Sequence, residues 1–229
     1  MDASRRRGTR CLAGAILWKG RNIPTSSDSE RTKHMRTIEK PKEGEYAPYT
    51  VMYYRLLPDD GLVLQHMLDE MESVRALILP LSDEEATTPW APGEWTIKEI
   101  LAHIVDDERI YAYRALRFAR NDQTLLPGFD QDLYAKHSGA NARKLEDILE
   151  EWALVRKATV ALFDSFEEEA FDRWGVMAEH RTSVRALAYH IAGHGALHIE
   201  NIKQNYGVKA TAKEASHGTR LHNDRTRYS

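Results

Sequence analysis

Four segments of the chain repeat apolar residues at the spacing of an amphipathic helix, with polar residues between them. They cover residues 62 to about 79, 97 to about 121, 145 to about 166 and 183 to about 206. The third segment is the most regular, because its apolar positions follow a 3.6-residue period. Four such segments, without a strong strand pattern, predict an all-α fold, and specifically a four-helix bundle.

Signals at the segment ends support these helices. Thr96 with Glu99 three residues later forms a capping box at the start of the second helix. Thr182 or Ser183 can cap the fourth helix, and Gly207 is a favourable residue just beyond its end. The helix boundaries are therefore encoded locally.

The stretches between the helices are expected to be irregular. Residues 35–61 form an extended lead-in with aromatic residues and prolines. Residues 125–139 are a long loop with Pro and Gly, and residues 167–182 are a connection that Gly175 interrupts. Residues 82–85 could form one helical turn.

Both ends of the chain differ in composition from the helical part. Residues 1–34 combine a basic start, a short apolar patch and a polar stretch. They are expected to be a disordered extension, or sequence upstream of a true start at Met35. The helical domain then covers residues 35–207, and residues 208–229 form a polar tail that we expect to be disordered.

Composition narrows the functional classes. The chain is 42% hydrophobic and 29% charged with a formal net charge of −3, so nothing global indicates a nucleic-acid or membrane partner. The single cysteine, Cys11, excludes an intramolecular disulfide and a thiolate metal site, and favours a cytoplasmic location. Any metal ion must therefore be held by His, Asp or Glu.

The stretch "HIAGHGALHIENI" carries the candidate chemistry. His190, His194 and His198 recur every four residues in the fourth helix. A helical projection places His198 within the apolar stripe and His194 on its flank, so both rings can point to one position inside a bundle. His190 lies further round and is the weakest ligand candidate. Gly195 occupies the place of the general base of the zincin motif, which excludes a zincin protease.

Two imidazoles make an incomplete site, because a catalytic metal ion usually has three protein ligands. His103 in the second helix is the candidate third ligand, and otherwise it is a histidine at the helix edge with a local hydrogen bond. Asp107, one turn further on, is a candidate catalytic residue that could orient a ligand ring or accept a proton. Its alternative is a solvated carboxylate on a charged helix edge.

Other polar residues have weaker claims to a role in the site. Tyr111 and Tyr134 could line a pocket, and three arginines of the second helix could bind an anionic group or simply be solvated: Arg109, Arg114 and Arg117. Six histidines are interpreted as structural or solvent-exposed: His34, His66, His137, His180, His217 and His222.

The chain from Met35 to Gly207 resembles the DinB superfamily (DinB/YfiT-like) of bacterial metal-binding four-helix bundles. The resemblance rests on four stretches taken together, which are "MRTIEKPKEGEYAPYTVMYYRLLPDD", "EWTIKEILAHIVDDERI", "LPGFDQDLYA" and "RTSVRALAYHIAGHGALHIENI". It implies that one histidine of the second helix and two of the last helix bind a divalent metal ion. In this sequence these are His103, His194 and His198.

The resemblance also implies a small-molecule substrate, a frequent homodimer and a right-handed bundle with unusual connectivity. It favours an enzyme, either a transferase that uses a low-molecular-weight thiol or a hydrolase, with Zn, Ni or Mn as the ion. Two alternatives stay open at this point. One is a non-catalytic metal- or ligand-binding bundle in stress response, with a closed site. The other is a structural dimeric bundle in which His103 lies far from His194 and His198.

Overall fold

A computed structural model describes residues 35–209 of the chain. The predictions for residues 1–34, for Cys11 and His34, and for the tail from residue 210 with His217 and His222, lie outside the described residues. The proposed domain boundaries near residues 34 and 207 therefore stay predictions.

Four long helices form the body of the described part, and they coincide with the four predicted segments to within a few residues. The predicted all-α four-helix bundle is thus confirmed. In chain order the elements are α1 (Val51–Arg55), α2 (Val63–Ile78), α3 (Asp83–Thr87), α4 (Ile97–Ala119), α5 (Gln131–His137), α6 (Leu145–Asp164), β1 (Trp174–Met177), β2 (His180–Ser183) and α7 (Val184–Asn205).

The bundle helices α2, α4, α6 and α7 pack around a continuous interior. Helix α4 packs against α6 and α7, and α2 packs against the same two helices. Apolar side chains fill both ends of the interior, with Phe118, Phe163 and Leu187 at one end and Ile148 and Ile202 at the other. Within residues 35–209, no helix is both long and apolar enough to cross a membrane.

The capping residues act as the sequence predicts. The Thr96 side chain accepts the Glu99 N–H, and the Glu99 carboxylate accepts the Thr96 N–H in return. Ser183 caps α7 by accepting the Ala186 N–H. Gly207 follows the end of α7 with a φ of +68°, in the left-handed region that favours glycine.

The prediction of a plain connection over residues 167–182 was wrong, because its second half forms an antiparallel β-hairpin. Strands β1 and β2 pair with Gly175 opposite Thr182, so this glycine lies within a strand and is not a break. A side chain at position 175 would overlap the Phe118 ring, which explains why glycine stands there. The Leu126 backbone exchanges hydrogen bonds with Val176 and Ala178 along the outer edge of β1. These bonds hold the loop that follows α4 against the hairpin.

Two short helices occupy stretches that were predicted to be irregular. Helix α1 lies in the predicted extended lead-in and packs against α7. This close approach requires Gly193, because a Cβ atom there would overlap the Tyr53 carbonyl oxygen. Helix α5 lies in the predicted long loop, where the Asp130 carboxylate caps it by accepting the N–H groups of Asp132 and Leu133.

Candidate metal centre

Three histidines from two helices converge inside the bundle. His103 projects from α4, and His194 and His198 project from successive turns of α7. The His194 Nε2 atom lies 3.1 Å from the Nε2 atoms of both His103 and His198. One ligand atom from each of the three rings lies within 4.8 Å of the other two. The alternative in which His103 lies far from the other two histidines is therefore wrong.

The chemistry of these nitrogens fits a cation better than it fits hydrogen bonds among the rings. An imidazole nitrogen is either a donor or an acceptor in the ring plane, so His194 Nε2 cannot satisfy both neighbours at once. A tetrahedral ion with metal–nitrogen bonds of about 2.0–2.1 Å would separate adjacent nitrogens by about 3.3 Å. The two observed distances of 3.1 Å are close to that value.

Burial keeps the three rings in the form that can bind a cation. It lowers the pKa of His103, holds the pKa of His194 well below its usual 6.5, and lowers the pKa of His198 to about 4. The nearby Asp107 carboxylate opposes this effect at each ring but does not cancel it. At neutral pH the three imidazoles are therefore uncharged, with lone pairs available for a metal ion.

Asp107 is buried beside the three rings, so the alternative of a solvated carboxylate is wrong. Its Oδ2 atom lies 3.3 Å from His194 Nδ1 and 3.5 Å from His190 Nε2. Burial alone would raise the pKa of Asp107, but these two imidazoles outweigh burial and lower it. A negative charge facing Nδ1 favours the tautomer of His194 with its proton there, which leaves the Nε2 lone pair directed at the other two histidines.

His190 does not join the three converging rings. Its ring stacks on Tyr111 at a centroid distance of 3.7 Å and an interplanar angle of 7°. Its Nε2 atom and Asp107 Oδ2 face each other at 3.5 Å, but neither buried atom makes a hydrogen bond within the described residues. The prediction that His190 is the weakest ligand candidate agrees with this position.

Aromatic residues enclose the centre, and sequence reasoning missed two of them. Tyr53 of α1 meets the rings of His190 and His194 edge-on, at centroid distances of 5.0 Å and 5.5 Å. Trp95, just before α4, contacts the His103 ring at 4.9 Å. Gly193, which lies between His190 and His194, was the available signal for Tyr53. A glycine within a helix can mark the close approach of another backbone.

A cavity of about 190 Å³ adjoins the histidines. Its walls include His194 and Asp107 on the side of the metal centre, and Arg114, Tyr49 and Phe129 elsewhere. Tyr111 also lines it, as the sequence suggested, whereas Tyr134 is not among its lining residues and packs against Phe129. The candidate ligands thus stand next to a space that can admit a small molecule.

The three arginines of α4 have different environments. Arg109 is half-exposed and pairs with Glu151 at 2.6 Å, and Arg117 pairs with Asp122. These two agree with the reading of arginines on an outer helix face. Arg114, in contrast, is buried in the cavity wall. Three of the histidines interpreted as structural or exposed belong to the described residues, and all three lie outside the cluster: His66, His137 and His180. His66 pairs with Asp60 at 2.9 Å.

Comparison with known proteins agrees with this arrangement. The chain is 29% identical over 104 residues to a protein of Geobacillus thermodenitrificans named "Putative metal-dependent hydrolase", which covers 44% of this chain and 57% of that protein. It is 27% identical over 125 residues to a protein of Oceanobacillus iheyensis named "Putative metal-dependent hydrolase OB0413", and the match covers 54% of this chain and 71% of the relative. The chain thus spans little more than half the length of the first relative.

A solved structure shares the fold. YfiT from Bacillus subtilis, described as "a probable metal-dependent hydrolase with an unusual four-helix bundle topology", superposes with a TM-score of 0.57 at 15% identity, covering 75% of this chain and 95% of YfiT. The sequence profile of the DinB superfamily matches residues 68–202, which is more than half of the chain and includes all three converging histidines. The chain therefore belongs to the DinB superfamily.

Proposed function

We propose that this protein is a metal-dependent hydrolase that acts on a small molecule. The observation that carries the proposal is the convergence of three ring nitrogens within 4.8 Å of one another, beside a cavity that shares His194 with them. The names of the two relatives support the reaction class. His103, His194 and His198 would hold one divalent ion per chain, and imidazole ligands suit Zn and Ni in particular, while Mn is a further candidate.

When bound, such an ion acidifies a coordinated water molecule and polarises a carbonyl or phosphoryl oxygen of a substrate. Asp107 has two roles in the proposal. Its carboxylate orients the His194 ring, and its position in the cavity wall makes it a candidate proton acceptor for the reaction. Tyr53 shields the His194 and His190 rings from water on the side of α1.

The cavity favours catalysis over a closed, purely metal-binding site. A non-catalytic bundle in stress response predicts no adjoining space, whereas His194 and Asp107 both reach the cavity of about 190 Å³. Transfer of a low-molecular-weight thiol, a homodimer and a cytoplasmic location stay predictions from the sequence.

The test is a hydrolysis assay on protein loaded separately with zinc, nickel or manganese. Carboxylic esters, amides and phosphate esters serve as substrates, and mixtures of thiols with electrophiles test the transferase prediction in parallel. We expect hydrolysis with at least one ion, lost in His198→Ala and retained in Arg109→Gln, which changes an arginine outside the site. Metal-loaded protein that turns over only thiol mixtures, or none of these compounds, would contradict the hydrolase proposal.

A further inference from the structure

We infer that Arg114 binds a carboxylate of the substrate, and hence that the substrates are small monocarboxylic acids. The inference rests on the proposed function, because it assigns the far end of the cavity that His194 and Asp107 line.

Arg114 is a buried cation that lacks a carboxylate partner within residues 35–209. It is 4% exposed, whereas Arg109 and Arg117 of the same helix are more exposed and each pairs with an acidic residue. A guanidinium stays charged in proteins, and a buried charge is costly unless an opposite charge or several hydrogen bonds compensate it. An unpaired buried arginine in a cavity wall therefore indicates an anion that arrives with the ligand.

The contacts of Arg114 fix the position of its guanidinium but leave most of its N–H groups without hydrogen-bond acceptors among the described residues. Its Nη2 atom donates one hydrogen bond of 2.9 Å to the Pro127 carbonyl oxygen, which is the one described hydrogen bond of this side chain. The guanidinium lies over the Tyr111 ring at 4.7 Å and near the Phe129 ring at 5.8 Å. The other N–H groups of the planar fork are thus available for a carboxylate, which matches that fork in shape.

The distance between Asp107 and Arg114 along α4 limits the length of the substrate. Asp107, Tyr111 and Arg114 are spaced four and three residues apart, so they form one stripe along the helix, and all three line the cavity. Seven residues of an α-helix span about 10 Å. A substrate can therefore place its reacting group near Asp107 and His194 while its carboxylate reaches Arg114.

Charge and size favour a monocarboxylate over a phosphate. The cavity wall contains one described arginine, Arg114, and one described acidic residue, Asp107, so a dianion would be opposed by Asp107. The volume of about 190 Å³ is also below the range of about 300–1,000 Å³ that is typical of sites for drug-sized ligands. A short acid with a single negative charge fits both limits.

The experiment measures binding of probe anions to the full-length protein by calorimetry, at constant ionic strength, in zinc-loaded and metal-free states. The probes are the linear monocarboxylates from propionate to hexanoate, the corresponding primary amides, and inorganic phosphate. The variants are Arg114→Gln, Arg114→Lys and the matched control Arg109→Gln, each checked for zinc content and thermal unfolding. Arg114→Lys keeps the charge and provides a second test if Arg114→Gln does not fold.

We expect carboxylates to bind at least about tenfold more tightly than their amides, in both metal states, with a preferred chain length. Arg114→Gln should remove this preference while the zinc content stays unchanged, Arg114→Lys should retain part of it, and Arg109→Gln should retain all of it. Equal binding of acids and amides, unchanged carboxylate binding in Arg114→Gln, or preferred binding of phosphate would overturn the inference. A protein that takes up no zinc but binds carboxylates through Arg114 would refute the metal centre alone.

Discussion

Two buried polar clusters lie next to each other in this bundle, and helix α4 contributes to both. The ionic cluster consists of Glu70, Glu108, Trp152 and Arg156, and the histidine cluster consists of the three converging rings. Glu108 follows Asp107 on α4, and Gly195, which follows His194 on α7, lies against the ionic cluster. Successive helical residues point about 100° apart, so α4 can place Asp107 beside the histidines and Glu108 in the ionic cluster.

The ionic cluster is compensated from within. Arg156 donates hydrogen bonds to the Glu108 and Glu70 carboxylates, at 3.0 Å and 3.1 Å, and to the Met67 carbonyl oxygen at 3.1 Å. Trp152 Nε1 donates a further hydrogen bond of 3.1 Å to Glu108. Opposite charges thus meet, and the contacts join α2, α4 and α6, while Glu108 Oε1 and Arg156 Nη2 make no hydrogen bond within the described residues.

The histidine cluster brings together groups of the same kind. Three neutral imidazoles direct nitrogens at one position, and no described side chain supplies a positive charge there. Buried groups of opposite charge compensate one another within the fold, whereas buried groups that direct like atoms at one point indicate a ligand. Substitutions in the two clusters should therefore differ in their effects on stability and on metal binding.

Breaking the ionic cluster should have the largest effect on stability. Glu108→Gln removes the fully buried partner of Arg156 and leaves Glu70 as its remaining carboxylate, so we expect a loss of about 3 kcal/mol of unfolding free energy, at the lower end of the range for a broken buried ion pair. Urea denaturation measures this cost, with Glu150→Gln as the control, since the pair of Glu150 with Arg75 is solvent-exposed. Zinc content per folded chain should not change. A loss below about 1 kcal/mol would show that the cluster is not needed for stability.

Removing one of the three metal-binding histidines should change zinc binding, in contrast to the substitution in the ionic cluster. In wild-type protein, zinc at 100 times its dissociation constant should add about 2.7 kcal/mol of stability, and a chelator should remove it. In His198→Ala the chelator should make little difference, because two imidazoles hold the ion far less tightly. Thermal unfolding with and without chelator measures both values. Equal chelator effects in the two proteins would contradict the assignment of His198 as a ligand.

Two glycines of α7 offer a matched pair of substitutions. Gly193→Ala should cost about 1–3 kcal/mol, because the new methyl group would displace α1 and Tyr53 from the histidine cluster, and zinc binding should weaken as well. Gly195→Ala places its methyl group 3.1 Å from Glu70 Oε2 in the ionic cluster, so zinc binding should be retained. Urea denaturation and zinc titration of both variants test the contrast, which fails if both lose zinc equally.

Asp107→Asn should have the smallest effect on stability and a clear effect on the metal centre. Loss of the carboxylate beside His194 Nδ1 removes the charge that orients this ring, and such changes typically weaken metal affinity by about 10- to 100-fold. A competition titration with a zinc chelator measures the affinity, and circular dichroism confirms the fold. Unchanged affinity would mean that Asp107 has no part in positioning the ligand.

The bundle helices could be predicted from the sequence because their signals are local, as with the capping box of Thr96 and Glu99. The hairpin could not, because its tip has positive φ at Ala178 and Glu179, where the usual Asn-Gly signal of such turns is missing. Helix α1 has five residues, too few for a stable isolated helix, and it packs against α7 at Gly193.

The metal-binding histidines of the site could be predicted from the sequence, whereas the surroundings of Asp107 could not. His194 and His198 followed from their spacing of four residues. His103 lies 91 residues from His194, so the residues alone made it only a candidate, and the family resemblance then assigned it as a ligand. The burial of Asp107 could not be predicted, because the acidic stretch around it is typical of an exposed helix edge. Tertiary contacts from α7 and from α1 determine its surroundings.

X-ray absorption spectroscopy of the zinc-loaded protein tests the central claim most directly, because it reports the ligands of the ion itself. We predict one zinc ion per chain, with three imidazole nitrogens at about 2.0–2.1 Å and at least one further light-atom ligand. His198→Ala should lose this spectrum, and Glu108→Gln should retain it. A protein that takes up no zinc, or whose spectrum shows no imidazole ligands, would contradict the account.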